Sequence, residues 1–167
     1  MVARDLLGAV LVVERDGTLV AGRIIETEAY TADDPASHSV RGRTPRNEVM
    51  FGPAGHLYVY RSYGIHWCAN IVTGSEGNGQ AVLLRAVDPV EGVAEMLRRR
   101  GRRPLADGPG KLCQAFGIDG DDDGADLCGP GPIRIVDDGA GPPVDPITGP
   151  RIGITKAVDT PWRFRIS

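Results

Sequence analysis

Five stretches in the first half of the chain either alternate apolar with polar residues or run apolar throughout. Residues 9–13, 19–30, 57–63, 66–72 and 81–87 are rich in Val, Ile, Leu or Tyr, and predict strands. The period then changes. Val90, Val93, Ala94 and Leu97 fall at i, i+3, i+4 and i+7, which is the apolar stripe of a helix. Asp88 can cap that helix, Pro89 suits its first position, Glu91 completes a capping-box spacing and Gly101 ends it. A shorter helix is predicted at 109–116. Residues 119–146 are rich in Gly, Asp and Pro and read as loop, with one short strand at 133–136. Two late strands, 151–156 and 163–166, would close a sheet. The pattern as a whole predicts an α+β fold: one domain over residues 1–167, with a curved, largely antiparallel β-sheet, flanking helices and a protruding aromatic β-hairpin.

Composition narrows the function classes. The net charge is −3, from 19 basic and 22 acidic residues, so the chain is not basic throughout. Positive charge is concentrated instead in Arg41, Arg43 and Arg46, and again in Arg98, Arg99, Arg100, Arg102 and Arg103. Contact with phosphates needs only such a local patch. The apolar run at 6–13 is too short to span a bilayer, and a cytoplasmic protein without membrane contact is expected. Cys68, Cys113 and Cys128 are odd in number and no C-x-x-C occurs, so neither a zinc site nor a disulfide framework is indicated. Asp119, Asp121, Asp123 and Gly124 imitate the start of a calcium loop, but Pro130 stands where a bidentate Glu is required. No cofactor and no metal are expected.

Two segments carry candidate chemistry. In the strand RIIETEAY, strict alternation puts Glu26, Glu28 and Tyr30 on one face with Ile24, and Ile25, Thr27 and Ala29 on the other. Carboxylates at i and i+2 lie roughly 7 Å apart. That pair suits either a general base or an ordinary solvent-facing strand, and the pattern alone does not choose. The segment LYVYRSYGIHWCANIV holds three of the four tyrosines and one of the two tryptophans. It reads as a hairpin with Tyr58, Tyr60 and Ser62 on one face. Tyr63, Ile65 and His66 would sit at its tip, where they could serve as a wedge between base steps or simply pack across the strands.

Taken together, the segments ARDLLGAVLV, GRIIETEAY, ASHS, RTPRN, FGPAGHLYVYRSYGIHWCANIV, AVLLRAVDPVEG, GPGKLCQAFGI and RIGI resemble the alkyladenine (3-methyladenine, or methylpurine) DNA glycosylase family, in family order across nearly the whole chain. The resemblance implies an enzyme of base excision repair that flips alkylated or deaminated purines out of duplex DNA. It would then hydrolyse the N-glycosidic bond. By the same resemblance Glu28 is the general base, while Arg85 and the backbone carbonyl of Ile154 help hold its water. Tyr30, His38 and Tyr60 wall the base pocket, and Asn70 crowds a purine 2-amino group. Tyr63, with Ile65 and His66, fills the gap left in the duplex, and Arg43, Thr44 and Arg46 contact the DNA backbone.

The implied partner is double-stranded DNA carrying a damaged purine, bound by a monomer with no obligate protein partner. No lysine stands near Glu28 in the sequence, so a monofunctional enzyme without a lyase step is expected. Two rival readings remain: a metal-dependent hydrolase using Glu26, Glu28 and His38, and a catalytically silent module that binds damaged DNA.

Overall fold

The computed structural model describes residues 1–167, and its organising element is one long strand, β2 (Thr18–Tyr30). β1 (Val10–Arg15) folds back on the first half of β2 through Asp16-Gly17, both at positive φ, as a two-residue turn between twisted strands requires. On its other edge β2 pairs with β5 (Gln80–Glu91), which continues to β4 (His66–Thr73) and β3 (Leu57–Ser62). β6 (Ile133–Val136) extends the sheet beyond β1. β8 (Arg163–Arg165) pairs with β2 across Glu26–Glu28, and β7 (Ile147–Gly149) pairs with β8. Every one of these pairings is antiparallel. The sheet curls into a half-barrel, so the α+β expectation holds.

Helices cover the core face of the sheet. α1 (Val2–Asp5) is a single turn, α2 spans Val93–Arg100 and α3 spans Pro109–Phe116. Leu112, Cys113, Ala115 and Phe116 of α3 are buried in the main core with Leu11, Val20, Ile24, Leu57, Val82 and Leu84. Gly22 permits this approach. A Cβ there would collide with Val87 and meet the Phe116 ring at 3.2 Å, so only a strand residue without a side chain lets α3 close on the sheet.

Three expectations are corrected. Ile24 was placed beside Glu26 and Glu28 by strict alternation, but it is fully buried in the core. The register runs Ile24↔Val87, Glu26↔Ala86 and Thr27↔Leu84, leaving Ile25 on β2 and Arg85 on β5 without direct partners. Each extra residue reverses the side-chain parity of its strand, so Ile24 and Thr27 both point inward.

Helix α2 starts at Val93, not at Asp88. Residues Asp88, Pro89 and Glu91 still pair with β2, and Val90 is 60% exposed rather than part of an apolar stripe. The chain turns into the helix only at Gly92 (φ 74°), where a side chain would run into the Leu19 carbonyl. Met96 takes the buried position in α2.

Residues 151–156 form no strand. Gly153 and Ala157 both have positive φ, which breaks an extended run, and the segment passes as a loop over the outer half of β2.

Phe116→Ala should lower stability by about 3–5 kcal/mol through loss of buried area and an unfilled cavity. Urea unfolding should show this as a lower midpoint with an unchanged slope.

Candidate active site

The β2/β5 bulge pair determines what faces the opposite side of the sheet. With Ile25 and Arg85 both out of register, Glu26, Glu28 and Tyr30 of β2 share that side with Leu83 and Arg85 of β5. One cross-strand row then runs Glu28, Leu83, Asn70, Tyr58 from β2 to β3. A cavity of about 630 Å³ opens over this row, walled by Tyr30, His38, Tyr58, Tyr60 and Asn70. Arg41, Arg46 and Lys156, all exposed, add cationic side chains to its lining.

Glu28 has no exposed surface and lies behind the cavity lining, its carboxylate held by three residues that form that lining, Tyr30, Ile152 and Arg85. Oε2 accepts the Tyr30 hydroxyl at 2.9 Å, and Oε1 accepts the Ile152 N–H at 2.8 Å. Arg85 Nη1 stands 3.3 Å from Oε1. The same guanidinium gives Nε to Glu26 Oε1 at 3.1 Å, and Arg163 Nη1 reaches that oxygen at 3.4 Å. Glu26 therefore faces two arginines rather than the solvent. A buried carboxylate survives only where donors replace its water, and Glu28 has three.

The loop that supplies the Ile152 N–H is tied down by its neighbour. Arg151, buried, forms a two-pronged ion pair with buried Asp34 and donates to the Ala29 carbonyl at 2.9 Å. Its guanidinium lies 4.6 Å from the Tyr30 ring centre and 5.2 Å from that of Trp162.

The aromatic wall is a packed set. The Tyr58 and Tyr60 rings stack at 5.6 Å between centres, and His38 meets Tyr60 edge-on at 4.4 Å. His38 Nδ1 and the Tyr58 hydroxyl share a hydrogen bond of 3.1 Å. Burial pushes the Tyr58 phenol up to about 12 and raises those of Tyr30 and Tyr60 as well, so all three remain neutral. Desolvation, helped by the Arg46 cation, lowers the His38 imidazole below its ordinary value. Asn70 spends Nδ2 on the Tyr58 and Cys68 carbonyls, at 3.1 and 3.4 Å, which leaves Oδ1 as its free polar atom.

The hairpin of β3 and β4 turns at Tyr63-Gly64-Ile65. Tyr63 is 87% exposed and Ile65 67% exposed, and Tyr63 also borders the cavity. His66 instead leans on Gly110 at the start of α3, where a Cβ would come within 2.9 Å of its own Cβ. Arg43 pairs with Glu48 at 3.1 Å, the Thr44 hydroxyl bonds Asn47 Oδ1 at 3.0 Å, and Arg46 donates to the Arg61 carbonyl at 3.2 Å. Ile154 lines the cavity, but the backbone group of RIGI bonded to Glu28 belongs to Ile152.

Several residues here escaped the sequence reading. Tyr58 lay on the predicted face yet was given no role. Asn47 is buried and ties the 38–47 loop together, donating to the His38 and Gly42 carbonyls and accepting from Thr44. Its only sequence signal was its place in RTPRN. Lys156 is remote from Glu28 in sequence but lines the same cavity. No three His, Cys, Asp or Glu side chains are grouped as a metal site: Glu26 and Glu28 face arginines, and His38 faces Tyr58. The acidic run is structural. Asp119 and Asp122 cap a 3-10 turn, Asp122 pairs with Arg15, and Asp123 accepts from the Val59 N–H.

Comparison with known proteins agrees over the whole chain. Residues 1–167 match the family model described as methylpurine-DNA glycosylase (MPG). A protein of Agrobacterium fabrum is 55% identical over 168 residues, covering 98% of this chain and 81% of the relative. One of Methanoculleus marisnigri is 53% identical over 169 residues, covering 98% and 87%. One of Nitrosospira multiformis is 51% identical over 172 residues, covering 99% and 84%. All three carry the name 3-methyladenine DNA glycosylase.

Because folding lowers the His38 pKa, the unfolded chain binds the extra proton between that value and its ordinary 6.5. This group's contribution is therefore full above about 6.5 and declines as pH falls through that window. An NMR titration should find His38 below its ordinary value, and Arg46→Gln should move it back upward.

Proposed function

The chain belongs to the methylpurine-DNA glycosylase family and is a hydrolase of the N-glycosyl bond; from that premise we propose that it flips damaged purines into the Tyr30/Tyr60 cavity and releases them with a water activated by Glu28. The observation that carries this reading is Glu28 itself. It is a wholly buried carboxylate held by Tyr30, Arg85 and Ile152, all three of which line an aromatic cavity of about 630 Å³. Ligand pockets commonly fall between about 300 and 1,000 Å³, so a single base has room.

The target bond is out of reach within a duplex, and extraction of the nucleotide costs a few kcal/mol. Tyr63 and Ile65, exposed at the hairpin tip beside the cavity, are suited to fill the vacated position. Damaged or mispaired bases leave the stack more readily, which gives a first level of selection. Inside, the neutral faces of Tyr30 and Tyr60 stack on the purine, and a cationic N-alkylated base gains roughly 0.5–2 kcal/mol per cation–π contact. Asn70 crowds the 2-amino group of normal guanine, a cost that the cation–π gain of a charged 7-methylguanine offsets.

Bond cleavage develops oxocarbenium character on the deoxyribose. Glu28 both stabilises that charge and takes the proton of the attacking water, while Arg85 and the backbone at 152–154 hold the water in line. A cationic alkylpurine departs as the neutral base and Glu28 returns its proton to solvent, whereas hypoxanthine or ethenoadenine departs as an anion that takes up a proton; an abasic site remains in each case. The exposed arginines of the 41–46 loop are placed to meet phosphates beside the flipped nucleotide, with a single copy of the chain acting on the duplex. The substrates proposed are 3-methyladenine, 7-methylguanine, hypoxanthine and ethenoadenine.

Glu28→Gln should lower single-turnover base release by about 10²–10⁴-fold, while affinity for lesion duplex stays within a few-fold of the parent. Undiminished release would sink the mechanism, and loss of binding along with release would point to a purely structural carboxylate. Strand cleavage that appears only after alkaline treatment is expected from hydrolysis alone. Prompt cleavage without alkali would instead bring Lys156 into the reaction. Tyr63→Ala should reduce release from duplex far more than release from single-stranded substrate, because only the duplex has a gap to fill.

A further inference from the structure

Two of the three donors that engage Glu28 depend on one residue that does not touch the cavity. The Ile152 N–H belongs to the peptide that follows Arg151, and the hydroxyl at Oε2 belongs to Tyr30, whose ring lies 4.6 Å from the Arg151 guanidinium. Tyr30 lines the cavity and Arg151 does not, so the cation touches the ring without itself entering the cavity. The Trp162 ring also packs on the guanidinium, its centre 5.2 Å away. In the plane of the group, Asp34 takes both terminal nitrogens and the Ala29 carbonyl takes a further bond of 2.9 Å. Both members of the ion pair have fully buried side chains, and Arg151 Nε has no partner. A buried pair of this kind is weak evidence for stability, since apolar residues of similar volume often serve as well.

We propose that Arg151 is a positioning residue. It registers the 151–154 loop against the end of β2 and fixes the Tyr30 ring, and thereby holds the Glu28 carboxylate in its reactive orientation. Planarity is central to the role. A guanidinium can lie between two aromatic faces while bonding a carboxylate and a carbonyl along its edge, which an ammonium cannot do. Catalytic geometry of this type is sensitive to displacements of about 1 Å, worth on the order of 10²-fold in rate.

The proposal rests on the role assigned to Glu28, and the experiment separates the two. Arg151→Lys retains a cation for Asp34 but loses the two-pronged, stacked geometry. It should lower the single-turnover release rate about 10–100-fold, with the dissociation constant for lesion duplex changed less than threefold, in protein shown to be folded at the assay temperature. Placed in a Glu28→Gln background it should cost almost nothing more, because Arg151 acts only through Glu28. Trp162→Leu, which loosens the stack without breaking the ion pair, should show a smaller effect of the same kind; it carries the test if Arg151→Lys does not fold. Full additivity with Glu28→Gln, or a fall in release matched by a fall in affinity, would overturn the assignment. If Glu28→Gln alone left release intact, the mechanism would fail first, whatever Arg151 did.

Discussion

The passage of β2 beside β5 is the constraint on which the site depends. Two strands in perfect register would alternate faces along their whole length, and a core residue such as Ile24 would fix Glu26, Glu28 and Tyr30 on its own, inward side. One unpaired residue on each strand, Ile25 on β2 and Arg85 on β5, changes the parity of both on either side of the Glu26↔Ala86 pair. The inner face can then keep Ile24, Thr27 and Ala29, while the outer face receives Glu28 and Arg85 within 3.3 Å of each other. Bulges bend and re-aim a strand without breaking the sheet, so the rearrangement leaves the flanking pairings intact.

Around this point the protein collects buried and half-buried charge. Glu28 with Arg85, Glu26 with Arg85 and Arg163, and Asp34 with Arg151 occupy the region where β2, β5, β8 and the 151–156 loop meet. Each group desolvated there needs donors or acceptors in compensation, and the loop provides them from its backbone and from Arg151. The aromatic side of the cavity is different in kind: Tyr58, Tyr60 and His38 hold one another through ring contacts and a single hydrogen bond, offering neutral faces beside a charged base.

Local pattern made some elements legible. The helix at Pro109–Phe116 and the strand at Ile133–Val136 were read at their observed limits, because a Pro at the start, a Gly after the end and a compact apolar run are signals within a few residues. The α2 start was misread for the opposite reason. Asp88 and Pro89 are good helix-start residues, but pairing with β2 outweighs that preference and holds them extended until Gly92. The 151–156 segment looked like a strand by composition; the positive φ at Gly153 and the burial of Arg151 make it a loop instead. Tyr58 was given no role, and Asn47 passed unnoticed, because their work is done through contacts to residues 20 and 9 positions away.

The sequence by itself determined the strand-rich α+β plan, the alternation that puts Tyr58 and Tyr60 on one face, the exposed tip at Tyr63, and the family through motifs in fixed order. Each of these depends on residue type and short spacing. Tertiary structure decided that Ile24 turns inward, that the Ile152 N–H bonds Glu28, that Lys156 shares the cavity, and that Arg151 packs on Tyr30. Those outcomes follow from register shifts between strands and from contacts across more than 100 residues, such as Arg151 to Asp34 and Ile152 to Glu28. A single residue of register decides which face a side chain occupies, and that residue is chosen by the packing of the whole sheet.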